Sequence, residues 1–250
     1  MTTTNRPSPE PRAPTPPGFY RPTWAEIDLL AFSRNVDAIV KRLPAGSRLI
    51  AVLKANGYGH GAIELARRCT PDRVAMVAVA LLEEALELRR AGIALPLLLL
   101  GSVGGVDEVA LAASNDITLG VTSPEMLQIA GSFAREHDVA VAINLDSGMG
   151  RVGLRIGDLP EAIEIIRRSP RLKITAIYTH FANSGDPRDP YTDVQMATFR
   201  GMVSTLRNSG IHASLHEANS GATMRGIVVP GDLSRVCIAL YGGEALEDGE

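Results

Sequence analysis

The sequence predicts an α/β fold, specifically a (β/α)8 barrel, from three observations. Eight short runs of apolar residues recur along the chain, and amphipathic stretches with the helical period separate them. The runs are apolar throughout, which is typical of parallel strands buried on both faces. The length of 250 residues is also the usual size of such a barrel. An open, doubly wound sheet is the alternative for the same pattern.

The predicted elements follow in a regular order. A short strand over 22–27 and a helix over 29–43 precede the barrel. The barrel strands are expected to end near Leu53, Val79, Leu100, Leu119, Leu145, Tyr178, Glu217 and Leu240. Helices are predicted over 81–91, 124–136, 159–168 and 194–208, with Ser123, Asp158 and Asp193 as candidate N-caps.

The composition indicates a soluble globular protein. The 25 basic and 28 acidic residues give a formal net charge of -3, without the positive excess of a nucleic-acid-binding protein. No apolar run approaches the roughly 20 residues of a membrane span. Two cysteines are too few for a disulfide scaffold, so we expect a reducing, cytoplasmic environment.

The two ends of the chain differ from its middle. The first 17 residues hold six of the 16 prolines and lack the apolar segment of a signal peptide. We therefore expect a disordered tail over 1–19. Residues 20–243 form the expected barrel domain, and 244–250 form a second short tail.

The barrel prediction also locates the active site, because catalytic residues of this fold gather at the C-terminal ends of the strands. The polar and unusual residues of the sequence follow the predicted strands at that end. They are Lys54, the segment 144–151, His180, Asn219, Ser220 and Tyr241.

The segment 51–62, AVLKANGYGHGA, places Lys54 at the end of the first barrel strand. Burial lowers the pKa of a lysine amine, and the neutral amine is the form that makes a Schiff base. Three glycines let the backbone approach a ligand closely, and Tyr58 offers a hydroxyl group. The alternative is that Lys54 extends out of the barrel mouth without a chemical role.

This segment strongly resembles the pyridoxal-phosphate lysine motif of alanine racemases. Four further segments agree in order and spacing: PTWAEIDLLAFSRNV, NLDSGMGRVGL, YTHFANSGD, and HEANSGAT followed by SRVCIALYG. The resemblance covers residues 20–243. It implies the pyridoxal 5'-phosphate-binding barrel that forms the N-terminal domain of that family.

The resemblance implies a role for each matching residue. Lys54 would carry the cofactor as a Schiff base and act as the base on the face that handles the D-amino acid. Arg151 would hold the phenolic oxygen of the cofactor and the substrate carboxylate. Arg235 would face the pyridine nitrogen and, because an arginine retains its proton, would leave that nitrogen unprotonated. His180 and His216 would orient Arg235.

The phosphate would be bound by the hydroxyl groups of Tyr58 and Ser220 and by backbone N–H groups near Cys237 and Ile238. The expected catalytic residues are therefore Lys54, Arg151 and His180. The expected cofactor-binding residues are Lys54, Tyr58, Arg151, His180, His216, Asn219, Ser220, Arg235, Cys237 and Ile238, and no metal site is expected.

The implied function is interconversion of L- and D-alanine by an isomerase that supplies D-alanine for peptidoglycan. The partners would be a small amino acid and, with the family's second domain, a second copy of the chain. That β-rich domain, which supplies an opposing catalytic tyrosine, is missing from this sequence. The chain is thus expected to be a truncated racemase or, alternatively, a standalone pyridoxal-phosphate-binding barrel with little or no racemase activity.

Two single residues also depart from the family. Asn144 stands where many members have a lysine that can be carbamylated to support Arg151, and an asparagine can still offer hydrogen bonds. Cys237 replaces a glycine beside the phosphate site, where its side chain could crowd the phosphate.

Two other motifs suggest different chemistry. Residues 148–153 match the dinucleotide-binding pattern GxGxxG, but the next candidate helix cap is Asp158, too late for that fingerprint. His212, His216 and Glu217 could suggest a metal site, yet they enter or lie within a predicted strand rather than on one helix face.

Overall fold

The computed structural model describes residues 24–246. Eight parallel strands form one sheet in the order β7-β6-β5-β4-β3-β2-β1-β8. They are β1 Arg48–Val52, β2 Val74–Val79, β3 Leu97–Leu99, β4 Ile117–Val121, β5 Val139–Asn144, β6 Leu172–Tyr178, β7 Ser214–His216 and β8 Leu233–Val236. This arrangement confirms the predicted barrel.

The barrel is nearly closed. Ladder pairing joins each strand to its neighbour except at the seam between β7 and β8. The Arg235 N–H in β8 donates to the Ala218 carbonyl, just beyond β7, at 2.9 Å. This backbone hydrogen bond connects the two terminal strands across the seam.

Helices surround the strands and connect them. Those in the described part of the chain are α1 Leu29–Val40, α2 Lys54–Tyr58, α3 Ala62–Arg68, α4 Leu82–Arg90, α5 Val106–Ser114, α6 Pro124–Phe133, α7 Leu159–Arg167, α8 Tyr191–Asn208 and α9 Ser220–Met224. Short 3₁₀ turns cover Ile156–Asp158 and Ile238–Tyr241. None of the helices in residues 24–246 is both long and apolar enough to cross a membrane.

Side-chain alternation along the strands creates two apolar layers. In β1, Leu49 and Ala51 belong to the large core between strands and helices. Ile50 and Val52 face the barrel interior, where they pack with side chains such as Leu98. Both faces of the sheet are therefore buried, which explains the continuous apolar runs in the sequence.

Seven predicted strand ends agree with the structure to within two residues, and one is wrong. β8 ends at Val236, not near Leu240, because the backbone leaves the extended region at Cys237, where φ is -130° and ψ is -89°. Tyr241 therefore lies in the following 3₁₀ turn rather than inside the last strand.

The predicted helix starts have mixed outcomes. Ser123 caps α6 as predicted, since its hydroxyl accepts the Met126 N–H at 3.2 Å. Asp193 lies inside α8, and Asp189 accepts the Tyr191 N–H at its start. Asp158 precedes α7, but its carboxylate accepts the Arg155 N–H and closes the 3₁₀ turn instead.

The segments at the ends of the chain are covered only in part. Residues 24–27 of the expected strand 22–27 form no strand, and helix α1 ends at Val40 instead of residue 43. Residues 22–23 lie outside the described range, as do the expected tail 1–19 and residues 247–250 of the second tail.

The barrel interior leaves no space at Gly120 in β4. A Cβ atom there would lie 2.6 Å from the Leu99 carbonyl oxygen and 2.7 Å from the Tyr178 hydroxyl. We expect Gly120→Ala to lower the free energy of unfolding by about 1–3 kcal/mol through overpacking, measured by urea denaturation.

Gly201→Ala is the matched control. Gly201 lies in α8 with nothing within 4 Å of an added Cβ atom. The greater helix propensity of alanine should raise stability by about 0.5–1 kcal/mol. Equal effects of the two substitutions would contradict the packing described here.

Candidate active site

A cavity of 570 Å³ opens at the C-terminal ends of the strands. Nine of the ten residues predicted to bind the cofactor line it: Lys54, Tyr58, Arg151, His180, Asn219, Ser220, Arg235, Cys237 and Ile238. The tenth, His216, hydrogen-bonds Arg235. The fold thus brings the predicted site residues together around one space.

Lys54 begins α2, a single turn in which the backbone is left-handed. The φ angles of Ala55, Asn56 and Tyr58 are 53°, 52° and 52°. Such angles cost an L-residue roughly 1–2 kcal/mol each and concentrate at functional sites. The Asn56 side chain supports the turn by accepting the Ala62 N–H at 2.9 Å.

The same turn places Lys54 and Tyr58 side by side. The Lys54 Nζ lies 5.9 Å from the centroid of the Tyr58 ring. The Tyr58 and Tyr241 rings meet edge to face with their centroids 5.2 Å apart, and the Tyr241 hydroxyl donates to the Val52 carbonyl at 2.9 Å. Tyr241 therefore anchors Tyr58 to the end of β1.

Two hydroxyl groups and Cys237 form one end of the cavity. The Tyr58 hydroxyl lies 2.9 Å from Cys237 Sγ, and Ser220 Oγ accepts the Cys237 N–H at 2.9 Å. Burial raises the pKa of Tyr58, and the hydrogen bond with Cys237 raises it further, so the hydroxyl keeps its proton at neutral pH. Both hydroxyl groups are thus available as hydrogen-bond donors.

Arg235 lies in the barrel interior and is only 4% exposed. Its guanidinium donates to the Thr179 carbonyl at 2.7 Å and to Nδ1 of His216 and His180 at 2.7 and 3.0 Å. Burial lowers the pKa of Arg235 to about 10, so the side chain remains protonated at neutral pH.

The two histidines are neutral. Burial, followed by the charge of Arg235, lowers the pKa of His180 to about 3 and the pKa of His216 well below its usual value. Since Arg235 can only donate, each Nδ1 accepts and each proton lies on Nε2. The Nε2 atom of His216 is buried without a partner in the described residues.

Asn144 reaches the cavity from the end of β5, and Arg151 reaches it from the loop that follows. Asp146 shapes this loop by accepting the N–H groups of Gly148 and Gly150, each at 3.0 Å. Arg151 is exposed and Asn144 is buried, and both line the cavity. Within residues 24–246 the two side chains form no hydrogen bond to each other. The structure therefore does not show the hydrogen bond from Asn144 that was expected to support Arg151.

Asn219 and Ile238 also line the cavity, in different ways. Asn219 Oδ1 accepts the Ala222 N–H at 3.2 Å, and its Nδ2 donates to the Phe181 carbonyl at 3.2 Å. The amide therefore fixes the start of α9. Ile238 is 47% exposed and offers the cavity an apolar side chain.

Sequence reasoning missed Tyr178 as a site residue. Its ring stacks on His216 with centroids 4.6 Å apart and lies 5.2 Å from the Arg235 guanidinium carbon. The available signal was its position at the end of β6, two residues before His180, because alternate residues of an extended chain point to the same side.

The alternative motifs are not supported by the geometry. Residues 148–153 form a loop, and the next α-helix begins at Leu159. Glu217 forms an ion pair with Arg200 at 2.8 Å, and His212 is exposed. No group of three or more potential metal ligands occurs in the part of the chain that the structure describes.

The family model for the alanine racemase N-terminal domain matches residues 27–245. The chain belongs to this family. Alanine racemase 1 of Oceanobacillus iheyensis is 39% identical over 89% of this chain and 60% of its own length. Alanine racemase 2 of Bacillus subtilis is 36% identical over 89% of this chain and 58% of its own length.

Solved structures agree with this membership. A crystal structure of alanine racemase from Bacillus anthracis with bound L-Ala-P superposes with a TM-score of 0.82 at 37% identity, covering 90% of this chain and 58% of that one. The chain thus spans about 60% of the length of the curated alanine racemases it matches.

The neutral histidines of this alanine racemase domain predict that acid destabilises it. Below the ordinary histidine pKa of about 6.5, the unfolded chain binds protons that the folded chain does not. Stability should therefore fall between pH 7 and pH 5, by about 1–2 kcal/mol for each of His180 and His216. Urea denaturation at the two pH values measures this loss.

His180→Gln keeps an acceptor near Arg235 but cannot titrate, so the loss should shrink by about 1–2 kcal/mol. His212→Gln, at an exposed position, is the matched control and should leave the loss unchanged. An unchanged loss in His180→Gln would contradict the neutral state assigned to His180.

The two cysteines should differ in reactivity. Burial raises the pKa of Cys69 to about 12, whereas Cys237 is half-buried at the cavity. We expect iodoacetamide to modify Cys237 in the folded chain and to modify Cys69 only after unfolding, because thiolate and access are both required. Peptide mass spectrometry checks this order, and faster modification of Cys69 would refute it.

Proposed function

We propose that the chain binds pyridoxal 5'-phosphate in this cavity and supplies the cofactor site of an alanine racemase. The observation that carries the proposal is one shared cavity lined by the Lys54 amine, the Tyr58 and Ser220 hydroxyl groups and the Arg235 guanidinium. Each group has the chemistry that one part of this cofactor requires.

The residues present fit the cofactor. The cavity volume of 570 Å³ lies within the roughly 300–1,000 Å³ of small-molecule sites. Hydroxyl donors at the Tyr58 end suit a phosphate group, and the guanidinium of Arg235 suits an acceptor nitrogen. Cys237 is compatible, because its thiol can donate to the Tyr58 oxygen and leave the Tyr58 proton for the phosphate.

When bound, the cofactor supplies an electron sink that lowers the cost of removing the α-proton of an amino acid. Lys54 would attach the cofactor through Nζ and then move that proton at the same atom. His180 and His216 hold the guanidinium of Arg235 in place through their Nδ1 atoms. Arg235 would donate a hydrogen bond to the pyridine nitrogen and keep its proton, since burial lowers its pKa only to about 10.

Arg151 would bind the substrate carboxylate. It lines the cavity from an exposed loop, and a guanidinium forms strong paired hydrogen bonds with a carboxylate. The substrate proposed is alanine, from the names of the relatives. The product D-alanine would serve peptidoglycan synthesis in the cytoplasm, and the whole protein would act as a homodimer.

A barrel that holds the cofactor with little or no turnover is the second candidate. The observation that favours it is coverage, since the chain spans about 60% of the relatives' length. Cofactor binding is therefore proposed for the chain as given, and racemisation for a protein that contains this domain.

The test is borohydride reduction of the purified chain with added pyridoxal 5'-phosphate. We expect a visible absorption band that borohydride removes, and a peptide that carries the reduced cofactor on Lys54. Lys54→Ala should abolish both, because the amine that binds the aldehyde is gone. Lys41 and Lys173 are the other lysines of the chain, so Lys41→Ala and Lys173→Ala are matched controls.

A folded wild-type chain without this band, or an equal band in Lys54→Ala, would refute the proposed site. Deuterium exchange at the α-carbon of D-alanine in heavy water separates the two candidates. Exchange that depends on Lys54 supports the racemase, and cofactor binding without exchange supports the binding barrel.

A further inference from the structure

The Glu84 carboxylate makes an unusual set of contacts beside the Lys54 turn. One oxygen accepts the Ala55 N–H at 2.5 Å. The other accepts the N–H groups of Ala80 and Leu81 at 2.8 and 3.0 Å. Both oxygens of this side chain, which begins in the first turn of α4, are therefore occupied by backbone donors.

Two of these hydrogen bonds have a local explanation. A glutamate in the first turn of a helix commonly accepts the N–H at the helix start, and Leu81 directly precedes α4. The bond from Ala55 does not belong to this motif. It joins α4 to a segment 29 residues earlier in the chain.

The Ala55 N–H belongs to the peptide group that links Lys54 to Ala55. Fixing this peptide fixes the backbone from which the Lys54 side chain starts. It also marks the entry into the left-handed stretch, because φ is 53° at Ala55 and stays positive through Gly59. L-residues leave this region unless their surroundings hold them there.

Two backbone hydrogen bonds of the turn act further along. The Gly57 N–H donates to the Leu53 carbonyl at 2.9 Å, and the Gly59 N–H donates to the Ala55 carbonyl at 3.0 Å. Neither bond restrains the peptide group between Lys54 and Ala55 from outside the turn. That restraint comes from Glu84.

We infer that Glu84 is a positioning residue for Lys54: its carboxylate holds the left-handed backbone that aims the lysine amine into the cavity. The inference rests on the proposed function, in which Lys54 carries the cofactor. Glu84 itself would touch neither cofactor nor substrate. It would act through the backbone of Ala55.

The first test compares Glu84→Gln with Glu83→Gln in the purified chain. An amide retains one acceptor oxygen, which should stay with the two donors at Ala80 and Leu81, so its NH2 group faces the Ala55 N–H and the restraint at Ala55 is lost. We expect Glu84→Gln to weaken the affinity for pyridoxal 5'-phosphate about tenfold and to slow borohydride trapping on Lys54 to a similar degree. Glu83→Gln makes the same charge change at an exposed position of α4 and should trap like wild type.

The second test separates positioning from helix capping. Ala55→Gly removes the steric penalty of a positive φ, so adding it to Glu84→Gln should restore most of the trapping rate. If Glu84 acted only as a helix cap at Ala80 and Leu81, Glu84→Gln would lower the melting temperature and Ala55→Gly would not restore trapping. Ala55→Gly alone should trap like wild type.

A third variant, Ala55→Val, leaves Glu84 intact, so it tests the inference even if Glu84→Gln does not fold. Ala55 is exposed, so Ala55→Val adds no buried volume, but a β-branched residue strongly resists positive φ. It should reproduce the loss of trapping with little change in melting temperature.

Three results would overturn the inference: trapping by Glu84→Gln at the wild-type rate, no restoration by Ala55→Gly, or normal trapping by Ala55→Val. A wild-type chain that traps no cofactor on Lys54 is a different result. It would overturn the proposed function and this inference with it.

Discussion

The buried guanidinium of Arg235 is the interaction on which the site depends. A charge in a barrel interior is costly unless hydrogen bonds satisfy it. Its partners are Thr179 and His180, which directly follow β6, and His216 in β7, while Arg235 itself belongs to β8. These contacts cross the seam where β7 and β8 lack ladder pairing. One side chain thus helps to close the barrel and also shapes the floor of the cavity.

That charge also determines the character of its neighbours. Burial keeps both histidines neutral and the charge of Arg235 adds to this effect, while Lys54 and Arg151 bring further basic groups to the same cavity. Among the described residues that line the cavity, Glu244 is the one acidic side chain. An anionic ligand therefore complements the site electrostatically. A phosphate group at the hydroxyl end and a carboxylate near Arg151 match this distribution.

The sequence predicted the barrel because its strands are apolar on both faces, a pattern that few other folds share. It also predicted that Lys54, Arg151, His180 and Ser220 meet, since the carboxyl ends of parallel strands lie at one rim. Arg235, His216 and Cys237 were expected from the family resemblance instead. Local backbone geometry was less accessible. IALY after Cys237 has the composition of a strand but forms a 3₁₀ turn. The left-handed turn at Lys54 includes Ala55, Asn56 and Tyr58, whose conformation depends on a distant carboxylate that no local motif reveals.

Cys237 stands where the resemblance implies a glycine, yet it leaves both hydroxyl donors of the proposed site available. Its backbone N–H is used by Ser220 Oγ, and its Sγ contacts the Tyr58 hydroxyl, so one residue touches both proposed phosphate donors. Accepting the Cys237 N–H leaves the Ser220 proton free to donate elsewhere. If the thiol donates to the Tyr58 oxygen, the Tyr58 proton is free as well. The substitution then narrows this end of the cavity while both hydroxyl donors remain, so it affects the fit of a ligand more than the chemistry of its recognition.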